Sequence, residues 1–139
     1  MKTLLGIALC AAVTVAGCSK DTTTSPSTST AVAPTTILFA GTLEPKATRF
    51  YSYSLTTAGS VSAMLASLER NGVPTSNALE IGLGIPAGTG CAVSASQNAG
   101  PQLIPHLRQD FGIGTYCVRI SDVNGLPAPM NFTIRVIHP

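Results

Sequence analysis

Strict alternation of apolar and small or polar residues, cut at short intervals by glycine and proline, is the feature that most constrains this chain. Leu79, Ile81, Leu83 and Ile85 alternate with Ala78, Glu80, Gly82 and Gly84 before Pro86. Tyr51, Tyr53 and Leu55 share one parity while Ser52 and Ser54 take the other, and Tyr116, Val118 and Ile120 repeat the pattern around Cys117. A period of two puts successive side chains on opposite faces of a strand, so each run predicts a strand with one buried face. Ile37–Leu43, Val61–Leu68 and Cys91–Ala95 add three more strands. The last places Phe132, Ile134 and Val136 inward. Ala58-Gly59-Ser60 reads as a hairpin turn, and Arg70–Asn77 as a loop of turn formers. Gln97–Asp110 is broken by Gly100-Pro101 and Pro105 and carries no clear period. No segment holds a helical period of useful length. About seven or eight strands at this spacing predict an all-β, antiparallel β-sandwich of one domain.

The N-terminus is built differently. Lys2 precedes an apolar run from Leu4 to Val15, followed by small residues. A run of about a dozen residues spans roughly 18 Å as a helix, too short for a hydrocarbon core of about 30 Å, so it reads as an export signal. Residues 18–36 are dominated by Ser, Thr, Pro and Ala, among them Thr22-Thr23-Thr24-Ser25-Pro26-Ser27. With no apolar period this stretch predicts a disordered tether. The expected organisation is a signal at 1–17, a tether at 18–36 and the sandwich at 37–139.

Val15-Ala16-Gly17-Cys18 resembles the lipobox of bacterial lipoproteins. The resemblance implies cleavage after Gly17 and lipidation of Cys18. Ser19, rather than Asp, follows the cysteine, which points to the outer membrane, periplasmic or surface-facing, instead of inner-membrane retention. The implied address is the cell envelope and the implied partner is the membrane, held through an N-terminal lipid with enough acyl chains for a stable anchor. Cys10 is discarded with the signal. Once lipid occupies Cys18, only Cys91 and Cys117 remain, and an oxidising compartment predicts that they pair in one disulfide. The parity of Cys117 puts it on the face opposite Tyr116, Val118 and Ile120. The bond should therefore clip adjacent strands, or a strand to the Ala87–Gly90 loop, rather than cross between sheets.

Gly41-Thr42-Leu43, Phe50–Leu55 with Gly59-Ser60-Val61, and Gly114–Ile120 before Phe132–Val136 follow one another in an order similar to that of the bacterial pre-peptidase C-terminal domain. That resemblance covers roughly Thr36 to His138 and implies a jelly-roll-like sandwich, with surface attachment and a polysaccharide or protein ligand as family roles. Relatives bind calcium through an Asp-rich stretch. Here the matching Asn71–Leu79 segment has no Asp, so no calcium site is carried over.

The remaining chemistry is sparse. The net charge is +2, and Lys46, Arg49, Arg70, Arg108, Arg119 and Arg135 are scattered, so no nucleic-acid partner is expected. Two cysteines without a nearby histidine make a poor zinc set, and neither metal nor other cofactor is predicted. His106 and Asp110 are the one local hint of an acid–base pair, with Asp122 as a third group a hydrolase would recruit. Both histidines, His106 and His138, otherwise read as loop residues. Glycine-rich Gly82–Gly88 misses both phosphate-binding spacings. A non-catalytic module is the expectation. A carbohydrate platform would need Tyr51, Tyr53 and Tyr116 exposed, whereas their parity points them into the core.

Overall fold

A computed structural model describes residues 32–139; the expected signal, Cys18 and most of the tether lie outside the described residues. Nine strands form: β1 (Thr35–Leu43), β2 (Thr48–Leu55), β3 (Gly59–Arg70), β4 (Val73–Pro74), β5 (Leu79–Ala87), β6 (Gly90–Ala99), β7 (Leu107–Phe111), β8 (Gly114–Ser121) and β9 (Met130–His138). No helix occurs among the described residues. The first sheet runs β1-β9-β3-β4, with β7 also paired to β3, and the second runs β2-β8-β5-β6. Every recorded pairing is antiparallel.

The pairings nest. β5 meets β6, β3 meets β7, β2 meets β8 and β1 meets β9. One long antiparallel ribbon is thus wound so that its arms alternate between two sheets, which is the jelly-roll arrangement. β4 is an addition: Asn71 and Gly72 have φ of 52° and 77°, and this pair of left-handed residues makes a tight turn that folds β4 back on the end of β3. The loop expected from Arg70 to Asn77 is therefore partly a hairpin.

The core fills the space between the sheets. Leu43, Val61, Leu65, Phe132 and Ile134 face it from the first sheet, and Tyr53, Leu55, Ile81, Leu83 and Val118 from the second. These are the parities the alternation predicts, because only one face of each strand leaves water.

Four readings need correction. Ala58-Gly59-Ser60 is no hairpin turn: β2 pairs with β8 and β3 with β9, so the segment is an arch between sheets. Ile85 is exposed rather than buried, because the pairing of β5 with β8 ends at Gly84 and β5 runs on beyond it with only β6 beside it. Part of the segment from Gln97 to Asp110 is strand: β6 runs to Ala99 and β7 starts at Leu107. The sandwich begins at Thr35, two residues inside the stretch assigned to the tether.

Candidate functional site

A shallow concavity of about 400 Å³ lies on the solvent face of the first sheet. Its floor is a small lattice of cross-strand partners. Ala40, Thr133 and Ser67 form one row across β1, β9 and β3, and Thr42, Asn131 and Glu69 form the next. Neighbouring strands stand about 4.8 Å apart, so each row offers side chains at about that spacing.

A β-bulge creates this lattice. Along β3, Val61, Ala63 and Leu65 face the core, but the next core residue is Leu68, three positions on. The pairing register shifts between Leu65 and Ser67, leaving Ala66 as the extra residue. An extra residue exchanges the faces of everything beyond it. Ser67 and Glu69 therefore turn outward to meet Thr133 and Asn131. Without the bulge, a hydroxyl and a carboxylate would point into an apolar interior.

Thr42 Oγ1 donates to Asn131 Oδ1 at 2.8 Å, which orients the amide and leaves its NH₂ available to an occupant of the groove. Glu69, half-buried, is the groove's one carboxylate. The lining thus offers hydroxyls, an amide donor and an anionic acceptor over a shallow floor. Hydrolysis of a glycosidic bond uses a pair of carboxylates, and the lining has no second one.

The groups named as hydrolase candidates are separated and occupied. His106 Nδ1 accepts from the backbone N–H of Leu65 at 3.3 Å, and the backbone N–H of His106 donates to Ala63 O at 3.0 Å, which moors the loop before β7 to β3. Partial burial lowers the pKa of its imidazole, only partly countered by a hydrogen bond to the Gly100 backbone. Asp110 stands opposite Ser60, exposed on β7. Asp122 is buried at the end of β8. Its carboxylate accepts from Lys46 N (2.7 Å), Leu126 N (2.7 Å), Gly125 N (2.8 Å) and Asn124 N (3.2 Å). Burial would raise the pKa of this carboxyl, but the four amide donors hold it below the usual aspartate value. A carboxylate used up by four amides is a clamp between two loops. No recorded hydrogen bond joins His106, Asp110 and Asp122.

His138 is not in a loop. It closes β9, buried, with its ring stacked on Tyr53 at 6.1 Å between centroids. Tyr53 is buried in the core, and burial pushes its phenol well above the usual tyrosine range. Tyr51 stacks on Phe39 and donates to Ala40 O; Tyr116 packs on Phe111 and donates to Gly112 O. All three tyrosines are spent on packing, as their parity predicts.

Cys91 and Cys117 are bonded, with Cα atoms 5.9 Å apart. As the parity of Cys117 requires, the bond stays within one sheet and on its outer side. It does not, however, join neighbours: Cys91 is on β6 and Cys117 on β8, with β5 between them. The reason lies in β5. Gly82 and Gly84 leave the middle of its outer face without side chains. A Cβ on Gly82 would meet Val93 Cγ1 at 2.7 Å, and one on Gly84 would run into the carbonyl oxygen of Ala92. The start of β6 thus folds over the glycines far enough to reach β8, and Cys117 is buried there. Beside it, Arg119 of β8 pairs with Glu80 of β5.

Sequence reasoning named none of the groove's polar residues as a site. The one available signal was the three-residue step from Leu65 to Leu68. A scan against protein-family models and a search of curated proteins found no match to this chain.

Proposed function

We propose that this chain is an envelope lipoprotein, anchored through Cys18, whose sandwich is a non-catalytic binding module for a hydroxyl-rich ligand such as a surface polysaccharide. The disulfide carries the first half of this reading. It consumes both cysteines of the described domain, which fits an oxidising compartment outside the cytosol. The Val15-Ala16-Gly17-Cys18 sequence supplies the anchor, and Ser19 favours the outer membrane. The groove supports the second half. Its lattice of Thr42, Asn131, Thr133, Ser67 and Glu69 offers donors and acceptors to a polyol, so recognition here would run through hydrogen bonds alone, without the aromatic stacking platform that the packed tyrosines rule out.

The test is a glycan array followed by calorimetry, using the full chain with Cys18→Ser to keep it in solution. Binding of a glycan should weaken by about tenfold or more in Asn131→Ala and Glu69→Gln, the loss expected when one or two hydrogen bonds to a polar or charged group disappear. A glycan bound equally well by both variants would remove the groove from the account.

A further inference from the structure

All strands of the sandwich run the same two ways, so its loops gather at two ends, and the ends differ in chemistry. At one end β1 starts, β9 stops and β3 starts, because Thr35 pairs with His138 and Ser62 with Ile137. Three connections lie there with them: Thr56-Thr57-Ala58, the β5–β6 tip from Ile85 to Gly90, and Gly112-Ile113. None of these segments carries Asp, Glu, Lys or Arg, and neither does Val32-Ala33-Pro34, through which the chain enters. Exposed aliphatics sit on them instead: Ile113 is 73% exposed, Ile85 55% and Val32 54%. The opposite end holds Glu44, Lys46 and Asp122 in its loops and Arg70 at the close of β3. Leu103 and Ile104 are also exposed, but they lie along the flank, where Gln102 N donates to Leu65 O.

We infer that the uncharged end is the surface by which the sandwich rests on the lipid bilayer that holds its anchor. This rests on the lipid-anchor reading of Cys18. The residues from Cys18 to Val32 reach at most about 50 Å even fully extended, so the end they enter is never far from the bilayer. Confinement on a short tether gives an effective concentration in the millimolar range, enough to populate contacts far too weak to hold a free domain. Isoleucine at two tips and valine on the entering segment, none of them carrying fixed charge, suit the acyl boundary, where ionised side chains are costly and aliphatic ones are not. The rim on β7 carries Arg108, beside Val32, Ser60 and Ser62 and placed for a lipid phosphate, and the exposed carboxylate of Asp110, which stays on the aqueous side of the contact.

The chain contains no tryptophan, which makes the test direct. Single variants Ile113→Trp, Ile85→Trp, Val123→Trp and Val73→Trp of the full acylated chain are reconstituted in phosphatidylethanolamine–phosphatidylglycerol vesicles with brominated acyl chains. Mass spectrometry reports acylation of Cys18. Emission from Trp at 113 and 85 should shift to the blue and be quenched by the brominated lipid, while Trp at 123 and 73 behaves as in water. An acylated chain with all four residues in water, or all four quenched alike, overturns the apposition and leaves the anchor standing. A chain lacking lipid on Cys18 overturns both.

Discussion

Asp122 shows how one side chain can serve structure so fully that none of it is left for chemistry. Its two oxygens accept four backbone N–H groups, one of them Lys46 N from the β1–β2 turn and three from its own loop. Asp122 N in turn donates to Ala47 O at 2.9 Å, so the two loops are tied in both directions. The ionised form is the one these donors prefer, and the folded-state pKa lies below the ordinary value of 3.8. A depressed carboxyl pKa contributes stability above pH 3.8, and that contribution is lost as pH falls through the folded value. Asp122→Asn should therefore flatten the acid limb of stability against pH below about 4. At pH 7 it should cost about 2–3 kcal/mol, since an amide NH₂ replaces one acceptor oxygen among buried donors. Urea denaturation of both proteins across that pH range measures both effects. Retention of the wild-type acid limb in the variant would show that another carboxylate governs it.

At the scale of elements, two irregularities in otherwise regular strands decide most of what is distinctive. The bulge at Ala66 turns Ser67 and Glu69 to solvent, and the bare outer face of β5 at Gly82 and Gly84 lets β6 lean across to β8. The disulfide fixes the second irregularity by closing a loop of 26 residues, which the chain-entropy model values at about 3.5 kcal/mol. Cys91→Ser with Cys117→Ser should lose about 2–4 kcal/mol of unfolding free energy by denaturant titration. The loss should be smaller than for a bond that closes the whole ribbon, because β5 and β6 already form a tight hairpin. Equal stability of the double serine variant and the oxidised protein would mean that strain in the native bond cancels its effect. Alternation along β5 was legible as far as Leu83. Beyond it, the exposure of Ile85 depended on where β8 stops accompanying β5, which no local pattern announces.

The whole molecule is a wound ribbon in which β1 meets β9 and β2 meets β8, so most pairings join residues far apart in sequence. Loop-closure entropy has to be overcome before such contacts return any free energy, which slows folding. With the disulfide intact, refolding from urea should fall in the range of about milliseconds to seconds, typical of sandwiches of high contact order. Stopped-flow fluorescence of the tyrosines would record it, and a dominant microsecond phase would contradict the nested order. Composition and alternation by themselves determined the all-β class and the inward residues of nearly every strand, as well as the outward face of Cys117. These depend only on period, parity and counting, which are local properties of a chain. Tertiary structure alone decided that β2 and β3 part to different sheets, that the disulfide straddles β5, and that Thr42, Asn131 and Glu69 share a row. Each of those is a matter of which distant strands become neighbours, and backbone hydrogen bonds carry no side-chain label to announce the choice in advance. The same holds for the sandwich's two ends: their loops are scattered along the sequence, and only the winding gathers the uncharged ones where Val32-Ala33-Pro34 leads into β1.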